Sequence, residues 1–150
     1  MFGSLIPNKL HILMVSQKAS IGDDKLNSHY FHHKNLDNVR VTVNGLSVLD
    51  TEISFTNKYA SLFKRSIDAI HSKNHSLDYD LFNGGYTIIA VDCQNSDTNT
   101  VMQLERRGHL EVHMKFSRPL DESINIIIIG LSHGTVEIDS ERRVSTHYNY

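Results

Sequence analysis

Between residues 110 and 116 the chain alternates without a fault. Leu110, Val112, Met114 and Phe116 fall on one side, and His109, Glu111, His113 and Lys115 on the other. A side-chain period of two with one apolar face predicts a half-buried antiparallel strand. Arg118-Pro119-Leu120-Asp121 then interrupts the ladder, because proline has no amide to donate. Next come Ile124 and the unbroken run Ile126, Ile127, Ile128 and Ile129. A strand with no polar face is expected in the middle of a sheet, covered on both sides. Ser132-His133-Gly134 turns the chain, and Val136, Ile138 and Val144 resume a shorter alternation. The whole stretch 108–144 is expected to form one wall of a β-sandwich or jelly roll.

The same pattern extends upstream. Residues 10–15 (LHILMV) and 86–91 (YTIIAV) predict strands apolar on both faces, separated from their neighbours by polar loops at 17–25 and 94–99. A short strand is expected at 29–33, with Phe31 in the core, and another at 101–104. Val39, Val41 and Val43 alternate into Asn44-Gly45, a pair suited to a hairpin turn that needs positive φ at both positions. Leu46, Val48 and Ile53 then lie on the return strand. One helix is predicted over about 56–72, with Thr56 as its cap and Tyr59, Leu62, Phe63, Ile67 and Ile70 on one face. Asn83-Gly84-Gly85 reads as a turn. The sum is an all-β chain: an antiparallel jelly-roll sandwich of about eight strands and one amphipathic helix, as a single domain over 1–150. Its three doubly apolar strands, at 10–15, 86–91 and 124–129, need cover either from the helix and long loops or from another domain or subunit.

Composition narrows the function classes. A formal net charge of −2 leaves no basic footprint for nucleic acid or an anionic membrane. No apolar stretch reaches the length needed to cross a bilayer, and the amino-terminal region reads as a strand, not a signal peptide. The single cysteine, Cys93, cannot form an internal disulfide, which points to a reducing interior. Its neighbour Asp92 is expected to raise the thiol pKa and keep it unreactive.

Ten histidines invite a search for metal ligands. His109, Glu111 and His113 share one strand face, and two histidines with a carboxylate are a known set for iron or zinc. The apolar set Leu110, Val112, Met114 and Phe116 claims the inside, however, so this face reads as solvated or as an interface. His32-His33 would point apart, and His71 and His75 straddle a fraying helix end. No serine sits in a nucleophile elbow, and Gly84-Gly85 lacks the lysine and hydroxyl of a phosphate loop. Tyr148 and Tyr150 read either as a docking tail or as a frayed end. The residues show no catalytic, cofactor or metal site, and the chain reads as non-enzymatic.

Several segments in order carry a resemblance. They are residues 7–15; 27–45 (NSHYFHHKNLDNVRVTVNG); Tyr59-Ala60-Ser61-Leu62-Phe63; Asp78-Tyr79; Gly85-Tyr86-Thr87; 110–116; Pro119-Leu120; 124–129; and Glu137-Ile138-Asp139. Together they resemble the second, carboxy-terminal jelly roll of the double jelly-roll major capsid proteins of adintoviruses and Polinton (Maverick) elements, in the adenovirus hexon lineage. The resemblance implies a structural protein that self-associates, as a trimer or with a second jelly-roll domain. It implies a place in a virion or in the nucleus or cytoplasm of a host, and a truncated or endogenised copy, since the family's first jelly roll has no counterpart here. It implies no enzymatic residues, no direct nucleic-acid or membrane partner and no small-molecule substrate. Two other classes fit the pattern: a cupin-like metalloenzyme using His109, Glu111 and His113, and a lectin-like binding sandwich, against which the absence of tryptophan counts.

Overall fold

The computed structural model describes residues 5–52, 59–70, 76–93, 107–132 and 135–147. The first strand, β1 (Lys9–Ser16), runs into a five-residue helix, α1 (Gln17–Ile21), in place of the expected loop. Strands β2 (Leu36–Val43) and β3 (Leu46–Glu52) form the hairpin. Asn44 and Gly45 turn it at φ of 52° and 78°, the two positive values expected of this pair. Helices α2 (Ala60–Ile70) and α3 (Tyr79–Gly84) precede β4 (Ile88–Asp92), β5 (Leu110–Phe116), β6 (Ile124–Leu131), β7 (Thr135–Ile138) and β8 (Val144–His147).

Among the described residues the named strands all pair antiparallel. One sheet has the order β4-β1-β6, a second β3-β2-β5, and β7 pairs with β8. Leu10, Ile12 and Met14 from the first sheet join Val39, Val41 and Val43 from the second in one buried cluster. The chain is thus mainly β, with two antiparallel sheets sharing a core. Alternation on β5 is as expected: Leu110, Val112, Met114 and Phe116 pack on that core, and the intervening residues are exposed.

The wall expected over 108–144 is divided. β5 pairs with β2, and β6 crosses to the other sheet and pairs with β1. Pro119 lies in the link that carries the chain between layers. A local pattern of alternation specifies a strand but not its partner, so the two could not be assigned to separate sheets from periodicity. The three doubly apolar strands turn out to be the three members of a single sheet.

Three helices stand where one was expected. The cap residue Thr56, together with Ile53, lies outside the described residues, as do residues 94–104 with the loop and strand expected there. α3 was hidden by its glycines. Asp78 caps it, its carboxylate accepting from the Leu81 amide at 2.8 Å. Phe82 on this helix is fully buried and stacks edge-on against Phe63, with ring centroids 5.3 Å apart. No strand forms at 29–33. Phe31 makes one isolated parallel bridge to Tyr86 and is only half-buried, while the buried residue is His33. Its ring stacks on Tyr59 at 3.9 Å, and its Nδ1 accepts from the Asn35 amide. That amide belongs to a turn in which Lys34 and Asn35 both take positive φ.

The second sheet is pinned at the hairpin. Asn44 accepts from the His109 amide through Oδ1 at 2.8 Å. A Cβ on Gly108 would sit 2.1 Å from that same oxygen, so only glycine permits the approach.

Candidate interaction surface

The two edges of the β4-β1-β6 sheet are treated differently. Along β4, helix α2 lies against the open side. Leu62 and Ser66, one turn apart, are both buried. The Ser66 hydroxyl accepts from the outward-facing Ala90 amide at 3.2 Å. A helix that supplies an acceptor to a strand's spare amide removes the edge from competition. Ser66 falls on the apolar stripe of α2, and a serine at a buried helix position was the available signal for this contact.

Along β6 there is no such cover. Among the described residues no strand pairs with its far side, and helix α1 meets the strand at its amino end. Ile126, Ile127, Ile128, Ile129 and Leu131 are 36–46% exposed. This corrects the expectation of a doubly covered middle strand. Isoleucine on both faces shows that a strand is meant to be dry, but not whether its own fold supplies the cover. The register with β1 runs without a bulge from Ser16↔Ile124 to Lys9↔Leu131. The amino end of β6 is anchored as well. Gln17 donates its amide to the Ser123 carbonyl at 3.0 Å, and Asn125 Nδ2 donates to Ser20 Oγ at 3.0 Å. Just before the strand, Glu122 accepts from Ser16 Oγ at 2.6 Å and from Lys34 Nζ at 2.5 Å. Among the described residues β6 is therefore long, free of bulges, held in place and open. Natural edges are usually blunted by lysine, proline, a bulge or shortness, and residues 123–132 contain no charge and no proline.

The next element continues the exposure. Val136, Ile138 and Val144 on the β7-β8 hairpin are 60%, 69% and 64% exposed.

The histidine face of β5 is assembled as expected, on the outside. His109 Nε2 and His113 Nε2 lie 3.2 Å and 3.3 Å from the two oxygens of Glu111. The hydrogen bond from His113 leads the causes that hold the Glu111 carboxyl below its usual range. Both imidazoles thus address the carboxylate, and no group able to hold a metal ion occurs among the described residues. His71, His75, Tyr148 and Tyr150 lie outside the described residues. A hollow of about 290 Å³ beside α1 is lined by Ser16, Lys25, Lys34 and Glu122 among others, and Lys34 and Glu122 pair with each other across it.

Cys93 is buried, and burial followed by the Asp92 charge pushes its thiol up to about 11. The native protein should therefore resist a thiol reagent at pH 8 and take up one equivalent only in denaturant. Fast labelling of the native form would contradict this placement.

Four of the described groups couple stability to acid pH. Burial lowers the pKa of His11 below 6.5, with a smaller effect of Lys9, and it lowers His32 likewise, with Lys34. His11 Nε2 is enclosed with no hydrogen-bond partner among the described residues. The unfolded chain binds protons at these imidazoles before the folded chain does, so stability is lost as the pH falls below 6.5. Glu122, lowered mainly by Lys34 and then Ser16, and Glu111 add a second loss below 4.5. Urea midpoints at pH 7.5, 5.5 and 4 should fall in two steps. Replacing His11 and His32 with asparagine should flatten the first, and a midpoint that rises from pH 7.5 to 5.5 would contradict the assignment.

No protein-family model, curated protein or solved structure matches the chain. Among the described residues, no helix is long and apolar enough to cross a membrane.

Proposed function

We propose that this chain is a structural protein that works by assembling, in the manner of a jelly-roll capsid subunit. The observation that carries the reading is β6: an eight-residue, uncharged, bulge-free edge strand with five large apolar side chains in solvent. Such an edge is a template for another chain, and in a monomer it is a liability. The opposite edge of the same sheet is covered by α2, whereas among the described residues no strand continues the sheet beyond β6.

The ordered resemblance to the second jelly roll of adintovirus and Polinton capsid proteins supports the same role. The antiparallel two-sheet core accords with that architecture. Assembly buries apolar strand surface, and its specificity comes from backbone pairing at the edge. In this reading the chain carries out no chemistry and needs no cofactor.

Light scattering over a protein concentration series tests the proposal. A discrete oligomer, stable to dilution over at least a tenfold range, is the expected result. A well-folded monomer at every concentration would remove the basis for an assembly role.

A further inference from the structure

We infer that the occupant of the β6 edge is the β6 strand of a second copy of this chain, paired antiparallel about a two-fold axis through Ile127. The inference rests on the assembly reading and specifies its contact.

The free backbone groups can be identified. The Leu131 carbonyl accepts from Asn8 and the Ser123 carbonyl from Gln17, both on the β1 side. In an antiparallel ladder, a residue's N–H and C=O point the same way, and the direction alternates along the strand. Residues 123, 125, 127, 129 and 131 therefore face β1. Ile124, Ile126, Ile128 and Gly130 present their amides and carbonyls to the open edge. One self-pairing uses all four: Ile124 opposite Gly130 of the copy, and Ile126 opposite Ile128, each relation occurring twice by symmetry. These pairs make about eight hydrogen bonds, two for each directly bonded pair. Ile127 then faces its own counterpart at the axis, as a non-bonded pair.

Chemistry favours the same strand as partner. A two-fold contact sets a short strand against itself, so a charge near the axis would lie close to the same charge on the copy. Residues 123–132 carry none. On the core side Ile126 would cover Ile128, and large isoleucines face small Gly130, which is sterically open. The five exposed side chains of β6 offer on the order of 400 Å² per protomer, about half of the 800 Å² or so that each partner gives a standard interface. Val136, Ile138 and Val144 of the hairpin that follows β6 are exposed as well. The product is a continuous six-stranded sheet, β4-β1-β6 joined to its copy, with both outer edges closed by α2.

Two variants read the contact directly. In I127C the paired cysteines would stand at the close, non-bonded position, with Cα atoms about 4.5 Å apart, inside disulfide range. Mild oxidation should convert most of the chain to a covalent dimer. I126C, opposite Ile128, should stay at single mass, and buried Cys93 should not interfere. In I128P the ring replaces an amide that faces the open edge and not β1, so pairing within the protomer is kept. Its mass by light scattering should be half that of the unmodified protein, whether a dimer falls to monomers or a hexamer to trimers. An oligomer that persists in I128P, with no cross-link in I127C, would overturn the β6 contact and leave assembly through another surface standing. Self-cross-linking of I126C in preference to I127C would overturn the register and with it the inference. A monomeric unmodified chain would overturn both this contact and the assembly reading.

Discussion

Ile12→Ala should destabilise the protomer by about 2–5 kcal/mol, the range for removing a fully buried aliphatic side chain from a core. Ile12 is completely buried at the centre of β1 and belongs to the shared cluster of both sheets. Its register partner on β6 is Ile128. The two have the same side chain, lie in the same sheet and face the same way. Yet Ile128→Ala should cost less than about 1 kcal/mol in the dilute protomer, as for a surface position, because 36% of Ile128 is already in water. Urea unfolding at low and high protein concentration separates the two. Ile12→Ala should lose the same amount at both. The cost of Ile128→Ala should grow with concentration as assembly buries the residue. Equal, large costs at low concentration would mean that β6 is covered within the protomer.

Phe82→Ala should cost about 3–5 kcal/mol, with a fall in Tm of about 10 °C or more for a chain of this size. Phe82 is fully buried on a helix of only six residues. Its ring meets Phe63 edge-on, and its carbonyl accepts from Thr87 Oγ at 2.8 Å. α3 is too short to persist by itself, so Phe82 is what holds it to the body. The substitution should also release Phe63, which contacts Tyr79 as well. Circular dichroism in urea, read against Leu81→Ala on the exposed side of the same helix, would check this. A loss below 1 kcal/mol for Phe82→Ala would show that α3 is not packed as described.

Much of the fold could be read from local pattern. The Val39, Val41 and Val43 face, the Asn44-Gly45 turn and the alternation of β5 each depend on neighbours one or two positions away, and each is found as expected. The stripe on α2 was readable for the same reason. The histidine face was also correctly placed outside, because the apolar residues between the histidines could occupy only the other side. Short helices escaped notice. α1 and α3 are too brief to show a helical period, and α3 ends in glycines that read as a turn. Phe31 is only half-buried because no strand forms at 29–33, where the chain runs into a turn with positive φ at Lys34 and Asn35, and alternation does not apply.

Sequence alone established that 124–129 is a strand and that it is apolar on both faces. Those properties follow from side-chain type and a period of two. Which strand lies beside it, and whether the far side is closed, depend on contacts between residues about 100 or more positions apart, such as Ser16 with Glu122 and Ile12 with Ile128. Hydrophobic burial is non-directional, so the same isoleucines would be satisfied by a neighbouring strand, a helix or another subunit. The tertiary arrangement placed α2 on the β4 edge and left the β6 edge open, and that choice turned a core-like strand into an interaction surface.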